Sequence, residues 1–60
     1  MNADEFLASM ETVLRRQHVE FSRAALQIFV GSCWELILDR QEPQFWCERF
    51  LETSDRMAPA

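Results

Sequence analysis

Hydrophobic residues recur along this chain at helical rather than strand spacing. Phe6, Leu7, Met10, Val13 and Leu14 fall at i, i+1, i+4, i+7 and i+8, which at about 100° per residue gathers them into one stripe. Asp4, Glu11 and Arg15 lie on the opposite side, and Glu11 and Arg15 stand i,i+4, where a helix surface carries ion pairs. Asn2 precedes the pattern, with Glu5 three residues on, as in a capping box. The spacing predicts a first helix over about 3–17.

Continuing that stripe would pass through Phe21, Ala24, Ala25 and Ile28. The stronger set that follows is Leu26, Phe29, Val30, Cys33, Leu36 and Ile37, nearly half a turn out of phase. Such a jump means that the helix breaks or that it serves two surfaces. Ser22 suits an N-cap, and Phe21 and Leu26 occupy the N′ and N4 positions of a hydrophobic staple. A connection near His18 to Phe21 and a second helix over about 22–40 are therefore predicted. One continuous helix is the alternative, since no Gly or Pro stands in the connection to forbid it.

Pro43 fits the first turn of a third helix, where its missing N–H costs nothing. That helix is expected over about 43–54, with Trp46, Cys47, Phe50 and Leu51 facing one way. Residues 55–60 carry no periodicity and are expected to fray. A single Gly and the lack of Asn-Gly or Asp-Gly pairs leave little turn chemistry for a sheet. The fold class is all-α: a small helical hairpin with a third helix, forming one domain over 1–60.

The second helix is apolar over more than one face, because Ile28, Trp34 and Leu38 lie on flanks where a surface helix is polar. Composition sharpens this. Twenty of the residues after Met1 are Leu, Ile, Val, Phe, Trp or Met, whereas a chain of 60 residues buries only about 60% of its unfolded surface. A partner surface would cover the excess, and a dimeric helical bundle is expected. Ile28, Gly31, Trp34 and Leu38 are the expected oligomer interface, with Gly31 permitting close approach of another helix. Phe45 lies outside the stripe of the third helix, among charges. With Arg49 beside it, Phe45 is the expected contact for a different protein, since large aromatics and Arg dominate interface hot spots.

Ten acidic and six basic residues give a net charge of −4, and every basic residue is Arg. This balance argues against nucleic acid and anionic membrane as partners, and neither is expected, because both need a concentrated basic surface. The longest apolar run, Ala24 to Leu38, contains Gln27 and Glu35 and is too short to span a bilayer. Two Cys without a C-x-x-C, and an acidic rather than basic N-terminus, point to a reducing cytoplasm.

The chemical candidates are few. Val30-Gly31-Ser32-Cys33-Trp34 resembles, one residue apart, the C-G-S-C-W segment around the nucleophile of papain-like proteases. Their first Cys is Val30 here, and the sole His, His18, lies upstream of Cys33 instead of far downstream. Cys33 instead falls on the helical stripe, where a thiol packs as a small hydrophobe. The five-residue match carries no family and no activity with it. His18, Cys33 and Cys47 lack the spacing of a zinc site, so no metal or cofactor is expected. Neither is a small-molecule substrate, the carboxylates being scattered over solvated faces. The expected function is a small non-enzymatic interaction protein, an adaptor, chaperone-like factor or inhibitor acting through apolar helix faces on itself and on another protein. A helix-turn-helix regulator is the alternative, against which Glu48 and Glu52 on the third helix weigh. An acidic decoy in a partner's nucleic-acid site is a third reading.

Overall fold

The computed structural model describes the backbone of residues 2–57 and the side chains of residues 2–53. Four helices follow one another: α1 (Ala3–Arg16), α2 (Arg23–Ser32), α3 (Trp34–Asp39) and α4 (Pro43–Met57). No strand occurs among the described residues.

Three of the four starts have a local cause. Asn2 Oδ1 accepts from Glu5 N at 2.8 Å, capping α1. Ser22 Oγ accepts from Ala25 N at 3.3 Å, capping α2, and Phe21 and Leu26 both pack into the core as a staple would have them. Pro43 opens α4, and Trp46 N donates to Glu42 O at 3.2 Å.

The connection after α1 is a Schellman motif. Val19 N donates to Leu14 O at 3.1 Å and His18 N to Arg15 O at 3.0 Å. Between them His18 takes φ 56°, the left-handed position that glycine usually fills. Val19 then packs against the core that holds Leu14. The chain therefore turns back at 17–22, as the phase jump in the hydrophobic pattern predicts.

The expected second helix does not run unbroken over 22–40. The α2 ladder ends with Cys33 N donating to Phe29 O at 3.0 Å, and a new one begins with Ile37 N donating to Cys33 O at 2.9 Å. Cys33 itself sits at φ −105°, ψ 12°. The break follows Gly31-Ser32, the kind of pair at which helices kink. Leu36, expected in the core stripe, is 60% exposed, because it sits about 100° round the helix from the buried Ile37. The third expected helix also extends past 54 to Met57, and residues 58–60 of the expected frayed tail lie outside the described residues.

α1 is the centre of the fold and packs against both α2 and α4. Phe6, Leu7, Met10 and Leu14 from α1 meet Leu26 and Val30 from α2, Ile37 from α3, and Trp46, Cys47 and Phe50 from α4 in one core. Val13 is half-buried at its edge. Aromatic edges lock the layers: Phe6 meets Trp34 at 6.2 Å and Phe29 meets Phe50 at 5.4 Å, both edge-on. The radius of gyration, 10.9 Å, is close to the roughly 10 Å of a folded domain of this length.

Candidate functional site: the outer flank of the kinked α2–α3 pair

Leu26 and Ile37 are both fully buried, and eleven residues make three helical turns, so the helical rotation persists through the kink. Relative to them, the outward positions can be read off. Ile28 lies about 160° round from Leu26 and is 70% exposed. Leu36 and Leu38 sit about 100° to either side of Ile37, so they occupy opposite flanks of α3; Leu38 is 46% exposed.

By the same rotation Gly31 falls close to Leu38, Trp34 lies next to them, and Ile28 stands about 80° from both Leu38 and Leu36. Gly31 is exposed, and a Cβ placed on it would meet nothing within 4 Å. Trp34 is half-buried, its ring set edge-on to Phe6. Leu36 lies on the far side of Ile28 from Leu38. Of the four residues expected at an oligomer interface, Ile28, Gly31 and Leu38 are open to solvent and Trp34 is half-buried against the core.

The expected docking pair has different surroundings. Phe45 is half-buried, not free: the Arg40 guanidinium lies over its ring at 3.9 Å, and Trp46 meets it edge-on at 5.0 Å. Arg40 also donates through Nε to Glu42 at 3.2 Å, while its carbonyl accepts from Trp46 Nε1 at 2.6 Å. This cluster closes the α3–α4 corner. Arg49 is exposed on α4, and its carbonyl accepts from Thr53 Oγ1 at 3.0 Å. The pattern of residues around Phe45 alone does not reveal Arg40, which comes from the preceding helix end.

Glu11 is the second residue whose surroundings depart from expectation. Placed on the polar side of α1 by spacing, it is only 8% exposed. Its carboxylate accepts from Arg15 at 3.3 Å and, across the helix pair, from Arg23 Nε at 2.9 Å. Both guanidiniums remain largely in solvent, so the charge is buried only where it is paired. Among the described side chains, every buried nitrogen and oxygen has a hydrogen-bond partner.

The thiols are both free. Cys33 is half-buried at the kink and packs against the core, as its place on the stripe implies. Cys47 is buried and donates to Met10 O at 3.4 Å. Burial pushes the Cys47 thiol up to about 11 from an ordinary 9.0, and the neighbouring Glu48 charge acts in the same direction. Among the described residues no three His, Cys, Asp or Glu side chains gather as a metal site, and no helix is long and apolar enough to cross a membrane. No protein-family model, curated protein or solved structure matches the chain.

Proposed function

We propose that this protein is a small non-enzymatic interaction module that works through the outer flank of α2–α3. The observation that carries this reading is the exposure of Ile28, Leu36 and Leu38 on α2 and α3, with the open backbone of Gly31 between Ile28 and Leu38. Large aliphatic side chains grouped around an open glycine suit a partner helix or a flat apolar surface. Several of the ionisable groups are engaged within the fold. Glu11 is held by two Arg, Arg40 by Glu42 and Phe45, and the Cys47 thiol is kept protonated against Met10. Contact rather than chemistry is what this surface offers.

Site-specific photo-crosslinking tests the reading. A benzophenone amino acid at Ile28 or Leu38, expressed in the native host, should yield discrete protein adducts. The same probe at Ala8 or Thr12, exposed on α1, should not. Adducts no more abundant at Ile28 and Leu38 than at those two positions would contradict it.

A further inference from the structure

We infer that α3 is a strap that opens from the rest of the fold as a unit, hinged at Cys33 and latched at Arg40. It does so whatever covers the flank outside. The hinge is an interruption of the helical ladder. The α2 ladder ends with Cys33 N donating to Phe29 O, and the α3 ladder starts afresh with Ile37 N donating to Cys33 O. Cys33 supplies no side-chain cap to the new helix. Six residues make fewer than two turns, too short a helix to persist without tertiary support.

That support comes from few side chains. Of the α3 residues only Ile37 is fully buried. Trp34 is half-buried, edge-on to Phe6, while Glu35, Leu36, Leu38 and Asp39 are exposed. α1, by contrast, buries Phe6, Leu7, Met10, Glu11 and Leu14 and packs on both α2 and α4. Those two helix pairs stay in place when α3 leaves its seat. The other ties of α3 are at its far end. There Arg40 O accepts from Trp46 Nε1 at 2.6 Å, and the Arg40 guanidinium lies over the Phe45 ring and donates to Glu42. The Arg40 side chain is itself half in water. Few buried contacts and exposed hydrogen bonds mark a segment that opens below the free energy of global unfolding. Opening adds Trp34 and Ile37 to the apolar side chains already outside, Leu36 and Leu38, and uncovers Phe6. The strap therefore sets how much apolar surface the molecule presents.

Native-state hydrogen exchange, read amide by amide by NMR, tests this. The Ile37 and Arg40 amides stand at the two ends of the α3 ladder. They should share one opening constant, at least roughly tenfold larger than that of the slowest α1 amides. Low urea should speed α1 exchange and scarcely change α3, because little surface is exposed when the strap opens. Glu11→Ala weakens the α1–α2 pairing, which persists in the open strap. It should speed the slowest α1 amides roughly tenfold and leave Ile37 unchanged. Arg40→Ala removes a tie that the open and the unfolded states both lack. It should speed Ile37 and the α1 amides by the same factor, about threefold. The inference is overturned if Ile37 and Arg40 open with widely different constants, which is fraying. It is overturned equally if urea or Glu11→Ala speeds Ile37 as much as α1, or if Arg40→Ala leaves Ile37 unchanged. Should Glu11→Ala fail to fold, the urea series on the wild type decides alone.

Discussion

Arg23 Nε reaches Glu11 Oε1 at 2.9 Å, joining the first turn of α2 to the middle of α1. Twelve residues and a reversal of the chain separate the two, so the contact exists only once the α1–α2 hairpin has closed. Glu11 also holds Arg15 one turn along. The carboxylate is the shared partner, and both cations reach in from solvent. Removing Glu11 should therefore cost more than removing either Arg. Glu11→Ala should lower the unfolding free energy by about 1–2 kcal/mol, the lower part of the range for charged hydrogen bonds because the Arg ends are hydrated. Arg15→Ala should cost about 0.5 kcal/mol or less. Urea unfolding of these two variants and Arg23→Ala checks the order, and equal losses would contradict it.

The left-handed His18 lends itself to stabilisation. Its side chain is exposed, and its φ of 56° is a conformation that non-glycine residues adopt at a cost of roughly 1–2 kcal/mol. His18→Gly should raise stability by up to about 1 kcal/mol, part of the gain being offset by the greater freedom of glycine in the unfolded chain. His18→Val, branched at Cβ, should lower it. Thermal melts of both variants decide this, and a less stable His18→Gly would mean that the imidazole makes a contact outweighing the backbone cost.

The α3–α4 corner should behave as a unit. Phe45→Ala removes a half-buried ring, the face on which Arg40 lies and the edge contact with Trp46. The loss should be about 1–2 kcal/mol, above the roughly 0.5 kcal/mol of an uninvolved surface position. A double-mutant cycle with Arg40→Ala should give a coupling of about 0.5–1 kcal/mol. Zero coupling would show that the stacked guanidinium contributes nothing to the corner.

Cys47 links stability to alkaline pH. Its thiol ionises near 11 in the folded chain against an ordinary 9.0. Between these values the unfolded state releases a proton that the folded state retains, so raising the pH favours unfolding. The stabilisation is complete below about pH 9 and lost progressively towards 11. Cys47→Ala should be less stable at neutral pH, through the cavity it leaves, yet show a shallower decline over pH 9–11. In thiol-reagent titrations of the native protein Cys33, half-exposed, should react before buried Cys47. An identical alkaline slope in Cys47→Ala would remove the thiol as its cause.

Local signals in the sequence carried over into the structure directly. Asn2 and Ser22 cap where their side chains allow, and Phe6, Leu7, Met10 and Leu14 are buried as their spacing requires. The phase jump before Leu26 marks a true reversal. Features that depend on meeting another element were not legible. Glu11 is buried because Arg23 arrives from α2, and Phe45 is covered because Arg40 folds back from the end of α3. The kink lies between these cases. Gly31-Ser32 is a local signal for it, but an apolar stripe running through Cys33 to Ile37 reads as one helix, and Leu36 was misplaced with it. Of the candidate site, Ile28, Gly31 and Leu38 were legible as excess apolar surface; that Leu36 belongs to the other flank was not.

The dependence of melting temperature on protein concentration tests the central claim most directly, since a dimer that dissociates on unfolding is stabilised by mass action. Over a hundredfold increase in concentration the wild type should gain up to about 2.7 kcal/mol, a rise of several degrees for a chain of this size. Ile28→Arg should melt at one temperature throughout. A wild-type melting temperature that does not move with concentration would contradict the reading of the exposed apolar residues of α2 and α3 as a surface that the chain covers by self-association.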